Sequence, residues 1–326
     1  MIQKESSQST IGKIVYIIVI IIFMALIALL VYYIYLNLPR DPQQLEVSTK
    51  PTVQPIITSN VNQFYPNMKF NHNKITYFID QNCDKNKKVR LENALDELSI
   101  KVPIINFFPS EIDPDIEITC SEDNRINIDK KHFVAGEGGA KEIIQTGRYN
   151  IITEGIILLY ENTKVKSKDC QYPNVELHEL LHVFGFDHSQ DKRSIMYSLI
   201  ESCDQILDQS IIDRLKELYA EENLPDLYFD QIKVVKRGRY IDFDLTIKNS
   251  GSLNSKDVTL TILDGISIIE QRNLGSFDFG AGVTLTTTNL RLRNLNPDQI
   301  NFILDKENKI VELDEDNNVA SVKLRK

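Results

Sequence analysis

Residues 14–36 form an unbroken run without a charged side chain, and this run limits the fold more than any other feature of the chain. It holds Ile17, Ile18, Ile20, Ile21, Ile22, Phe23, Leu26, Leu29 and Leu30. A helix of that length rises about 35 Å, enough to cross the hydrocarbon core of a bilayer. A buried core helix would need protein on every side of the run. A cleavable signal peptide has an apolar stretch of roughly 7 to 15 residues ending in small side chains, whereas this run closes on Tyr32-Tyr33-Ile34-Tyr35-Leu36-Asn37. The sequence therefore predicts a single-pass signal anchor over 14–36, preceded by a cytoplasmic tail at 1–13. Lys4 and Lys13 lie before the span and are offset by Glu5, while Arg40 is followed at once by Asp41. The positive-inside rule then places everything after Leu36 outside the cell.

Beyond the span, the period of the apolar residues changes three times. Residues 37–65 carry Pro39, Pro42, Pro51 and Pro55 among Gln, Ser, Thr and Asn with no sustained period, and read as an extended stalk. A strand at Ile75–Ile79 leads into a helix whose Leu91, Ala94, Leu95 and Leu98 recur at helical spacing. Short strands follow at 104–108 and 116–119, then a Gly-rich, irregular stretch at 135–147 and an apolar strand at 155–160. Helices are expected at about 174–184 and 209–220. This alternation predicts a mixed α/β (α+β) unit over 66–221. Asn223-Leu224-Pro225 breaks the pattern, and from residue 226 the period becomes two. Ile241, Phe243, Leu245 and Ile247 alternate with polar residues, as do Val258, Leu260 and Ile262. Residues 226–326 therefore read as an all-β sandwich.

A formal charge of −9 argues against a nucleic-acid backbone as partner. Four cysteines, Cys83, Cys120, Cys170 and Cys203, fall in the segment placed outside the cell, where disulfides persist. Of the three pairings, Cys83–Cys120 with Cys170–Cys203 keeps each bridge within one half of the same unit.

The chemistry is concentrated in His178-Glu179-Leu180-Leu181-His182-Val183-Phe184-Gly185-Phe186-Asp187-His188. On a helix, His178 and His182 stand one turn apart on one face, with Glu179 beside them. Gly185 permits a sharp turn that brings His188 round as a third nitrogen ligand. Three ligands leave a fourth position for water, as a catalytic zinc requires, whereas structural zinc sites are closed by four.

This string resembles the metzincin clan of zinc peptidases, whose HExxHxxGxxH pattern is followed by a methionine turn. Ser194-Ile195-Met196-Tyr197 supplies that turn, and Ser189 together with the spacing from His188 to Met196 resembles the matrixin subgroup. The resemblance implies a twisted sheet with an active-site helix, one catalytic Zn²⁺ on His178, His182 and His188, Glu179 as general base, and Met196 as an apolar base beneath the metal. It also implies protein or peptide substrates. Four features depart from the family. Ser198 stands where matrixins usually have proline, and no histidine-rich loop precedes the helix. Ser210 and Ile211 stand where matrixins carry an aspartate pair, and residues 37–65 contain no cysteine to cap a zinc. An enzyme made without zymogen control, or controlled by some other route, is expected. His72 and His132 are expected at the surface.

Asn249-Ser250-Gly251 and the segment from Ile310 to Asn318 resemble the cell-adhesion-related bacterial domain, CARDB. That resemblance implies an immunoglobulin-like sandwich without enzymatic activity, offering a surface for a partner. The leading expectation is a membrane-anchored extracellular zinc endopeptidase. The alternative is a surface adhesion or scaffold protein whose metzincin-like unit is catalytically silent; retention of Glu179 and all three histidines favours the enzyme.

Overall fold

The computed structural model describes residues 6–50, 61–122, 134–160, 172–200, 202–294 and 297–324. Helix α1 (Ser6–Asn37) contains the apolar run, and its large side chains from Ile14 to Tyr35 are exposed. Among the described residues it is the one helix long and apolar enough to cross a membrane.

The α/β unit is built on a six-stranded sheet. Strands β3 (Met68–Phe70), β4 (Lys74–Ile79), β5 (Asn106–Pro109), β6 (Ile116–Ser121) and β8 (Asn150–Tyr160) pair in parallel in the order β3-β8-β6-β4-β5. β7 (Gly136–Gln145) pairs antiparallel to β8. The Gly-rich stretch expected to be irregular is thus a strand. Its weak intrinsic propensity is overridden by pairing along almost the whole of β8.

Helix α2 (Lys85–Lys101) starts at Asp84, whose side chain accepts from the Asn86 and Lys87 amides, and buries the four apolar positions read from its spacing. It docks on α3 (Asn174–Val183) through a bidentate pair, Arg90 Nε to Glu176 Oε1 at 2.8 Å and Nη2 to Oε2 at 2.9 Å. Helix α4 (Gln209–Ala220) closes the unit, placing Ile211, Ile212, Leu215, Leu218 and Tyr219 in the same core as Leu177, Leu180 and Leu181 of α3. Cys83 and Cys120 form a disulfide that ties the start of α2 to β6. Cys203 is also disulfide-bonded, and its expected partner Cys170 lies outside the described residues.

The all-β unit is a sandwich of two sheets over one core that includes Phe243 and Phe302, their rings 5.2 Å apart. Its strands are β9 (Leu227–Arg237), β10 (Tyr240–Asn249), β11 (Ser255–Asp264), β12 (Ser267–Phe277), β13 (Gly282–Arg291), β14 (Gln299–Leu304) and β15 (Val319–Lys323). The expected extended stalk is not free chain along its length. Gln43–Leu45 (β1) pairs with β9, and Val47–Thr49 (β2) pairs with β15, giving sheet orders β1-β9-β10-β13 and β12-β11-β14-β15-β2. Leu45 is buried in the sandwich core. The sandwich is therefore discontinuous in sequence, with the α/β unit inserted after its first two strands. Each of these strands is three residues long, too short to show a period.

Candidate functional site

The end of α3 is shaped by one glycine. Gly185 has φ +82°, and its N–H donates to His182 O while Phe186 N–H donates to Leu181 O, the paired bonds of a Schellman cap. A Cβ at this position would fall 2.2 Å from Met68 Sδ, so the turn needs glycine for both conformation and space. The reversal carries His188 back over the helix.

The result is three imidazoles facing one point. His182 Nε2 lies 3.0 Å from His178 Nε2 and 3.2 Å from His188 Nε2. His178 Nδ1 is 2.6 Å from Ile195 O, and His182 Nδ1 is 2.7 Å from Phe186 O. Since a carbonyl only accepts, each Nδ1 carries the proton, and each Nε2 presents a lone pair. Lone pairs converging at this distance repel unless a cation lies among them. Among the described residues this is the one His/Cys/Asp/Glu group arranged to hold a metal ion, and its nitrogen chemistry fits zinc. Burial pushes His178 down to about 4, with His182 and His188 adding to the effect, so it stays neutral at physiological pH. Burial likewise lowers His182.

Glu179 is buried beside this cluster, under the edge strand. A Cβ at Gly138 would lie 2.2 Å from Glu179 O, and one at Gly136 would lie 2.7 Å from Glu179 Cγ, so the two glycines let β7 cross directly over the helix. Burial raises the Glu179 carboxyl to about 8; Glu137 and Glu176 add to this, and the Gly138 N–H, which donates to Glu179, opposes it.

The methionine turn is held from several sides. Ser189 N–H donates to Met196 O at 2.8 Å, Ile195 N–H to Ile206 O at 2.8 Å, and Met196 N–H to Ser194 Oγ at 3.0 Å. Met196 is buried in the core that supports α3. Ser194 Oγ donates to Asp208, the residue before α4, which links the turn to the last helix. Tyr197 is partly exposed beside this turn, and Tyr160 is buried at the end of β8.

Phe64, absent from the sequence reading, stacks on His182 with ring centroids 5.8 Å apart. It is placed by Phe64 N–H donating to Gly185 O and Gln63 Nε2 donating to Phe184 O. An aromatic beyond a proline-rich stretch carries no signal of this contact. His72 lies away from the cluster, paired to Asp115 at 3.0 Å. His132 lies outside the described residues.

Two family models match the chain. The matrixin model covers residues 69–220, and the CARDB model covers residues 224–322. The chain thus carries a matrixin domain of the metallopeptidase kind followed by a CARDB domain. Among solved structures, a CARDB domain from Pyrococcus furiosus in complex with di-metal ions is 22% identical, covering 31% of this chain and 87% of its own, with a TM-score of 0.27. A solution structure of the same Pyrococcus furiosus domain is 23% identical over 31% of this chain and 94% of its own, with a TM-score of 0.27. A domain from Methanosarcina acetivorans is 21% identical over 32% of this chain and 94% of its own, with a TM-score of 0.25. No match is found among curated proteins.

Proposed function

We propose that the chain is a membrane-anchored zinc endopeptidase working outside the cytoplasm, with residues 66–221 as its catalytic domain. The reading rests above all on the convergence of three Nε2 lone pairs from His178, His182 and His188, two of them oriented by backbone carbonyls. Zinc held there would lower the pKa of a bound water toward about 7 and polarise the scissile carbonyl. Glu179 takes the proton from the attacking water and passes it to the leaving amine. Burial raises its carboxyl, which makes it a stronger base toward that water.

The free edge of β7 is where an extended substrate pairs through its backbone. Among the described residues β7 pairs only with β8, and it lies against the helix that carries Glu179. Residues 150–152, by contrast, belong to β8 inside the sheet, paired on both sides.

The anchor is residues 14–36, and the CARDB domain is the membrane-proximal part. Asn37, the last residue of α1, accepts from Arg291 of β13 at 3.1 Å, and β1 follows within six residues. The CARDB domain then offers its exposed faces to a surface partner. The test is mass-spectrometric profiling of a mixed peptide library and of cell-wall peptides with residues 37–326. Chelator-sensitive cleavage within the linear peptides supports the endopeptidase. Cleavage confined to the cell-wall peptides would make the enzyme an amidase, and bound zinc without cleavage would support the scaffold.

A further inference from the structure

The turn between β7 and β8 is where the catalytic domain meets the sandwich. Thr146 is buried, and its Oγ1 donates to Ser250 O at 2.7 Å. Gly280, between β12 and β13, comes so near that a Cβ there would lie 2.9 Å from Ile144 Cγ2 and 3.0 Å from Gln145 O.

Arg148 in the same turn pairs with Glu221 and lies 3.9 Å from Asp226 Oδ2. The Tyr149 hydroxyl donates to the second oxygen of Glu221. Asp226 is wholly buried and belongs to the sandwich side: Ser250 Oγ donates to its Oδ2 at 2.7 Å, and Asn317 Nδ2 donates to its Oδ1 at 2.8 Å. From the catalytic side, Asn67 Nδ2 donates to Arg148 O at 3.0 Å, and Arg214 donates to Asn67. One polar network therefore runs from Asn317 at the end of the sandwich to Arg214 in α4.

The strand that leads into this turn is β7, whose other end carries Gly136 and Gly138 against Glu179. Its outer side has no partner strand among the described residues, so its position is set by β8, by α3 and by the sandwich at the turn. Both ends of the catalytic domain also return to the sandwich, through β2 on one side and β9 on the other.

We propose that the sandwich is a positioning element of the catalytic domain, in which Thr146, Arg148 and Asp226 lock the β7–β8 turn. The lock fixes the register of β7 over α3, keeping the Gly138 N–H on Glu179 and the free edge aligned for substrate. The consequence for turnover rests on the peptidase reading; the coupling of the sandwich to β7 does not.

The experiment uses the full chain in detergent, comparing wild type with Thr146→Val, Arg148→Gln and Arg148→Lys. Hydrogen exchange, followed by mass spectrometry, is read over β7, α3 and β14. Exchange in β7 is expected to rise about tenfold in Thr146→Val and Arg148→Gln, with α3 and β14 unchanged. Arg148→Lys, which keeps a cation beside Asp226, should restore most of the protection. Zinc content should stay at the wild-type value, while kcat/KM for a long peptide falls about tenfold and that for the shortest cleavable peptide falls far less.

Thr146→Val leaves the buried charges paired, so it reads the coupling even if Arg148→Gln does not fold. Wild-type exchange in β7 of a folded Thr146→Val protein would overturn the proposal and make the sandwich a tether only. If the wild type cleaves no peptide, the peptidase reading falls, while the exchange measurement still decides the coupling.

Discussion

Gly185 and Met68 meet so closely that a single added carbon at Gly185 would lie 2.2 Å from the Met68 sulfur. The turn that delivers His188 to the other two histidines depends on this contact and on the positive φ of Gly185. Gly185→Ala is expected to destabilise the catalytic domain by about 2–3 kcal/mol, combining the left-handed backbone cost with overpacking. Chemical denaturation of the zinc-loaded protein, together with competition for zinc against a chelator dye, measures both effects. Zinc affinity should fall at least about tenfold, because His188 no longer arrives in register.

The Arg90–Glu176 pair joins α2 to the helix bearing two of the histidines. Glu176 is buried, and its partner is 30% exposed. Arg90→Met should cost about 2–3 kcal/mol, at the low end for breaking a buried pair because solvent reaches the arginine. Replacing both partners, as Arg90→Met with Glu176→Leu, should recover part of that loss in a urea titration. An equal or larger loss in the double variant would contradict the assignment of the cost to an unpaired buried charge.

Lys69 is fully buried, lies 5.2 Å and 5.3 Å from the ring centres of Tyr149 and Tyr219, and donates to Leu218 O at 2.9 Å. Burial lowers it from 10.5 to about 8; Glu221 opposes the shift and Arg148 adds to it. Its folded-state pKa lies below its unfolded value, so between about 8 and 10.5 the unfolded chain holds the extra proton. Its contribution to stability therefore rises with pH across that window and is flat below it, where both states are charged. The stability difference between wild type and Lys69→Met should move in favour of wild type as pH rises from 8 to 10.5. A difference independent of pH would contradict the shift.

Because β1 and β2 are strands of the sandwich, the anchor is held by more than one covalent link. A protease site inserted between residues 51 and 60 and then cut should leave residues 1–50 bound to the rest of the chain in native gel filtration. Leu45→Asp should release the fragment, since Leu45 is buried in the sandwich core. Separation of the unmodified fragment under native conditions would contradict the pairing.

The parts of the fold that were legible in the sequence are those written locally. Leu91, Ala94, Leu95 and Leu98 of α2 and the alternating residues of β10 and β11 announce themselves because burial of one face imposes a period. The three histidines fall within eleven residues, so one helix and one glycine turn determine where they go. What the sequence leaves silent depends on distant partners. Thr49 pairs with Ala320, a contact no local pattern encodes. β7 reads as irregular because its glycines serve close approach to Glu179 rather than strand propensity. Lys69 is charged, yet sits in the core because Leu218 O and two tyrosine rings receive it.

The central claim is that His178, His182 and His188 hold one zinc that works with Glu179 to cut peptide bonds. Zinc per chain, measured by metal analysis alongside peptide cleavage for wild type, Glu179→Gln and His188→Ala, tests it most directly. The account predicts one zinc in wild type and Glu179→Gln, chelator-sensitive cleavage in wild type that is slower by about 100-fold or more in Glu179→Gln, and weakened zinc binding in His188→Ala. Wild-type protein without zinc, or Glu179→Gln cleaving at the wild-type rate, would contradict it.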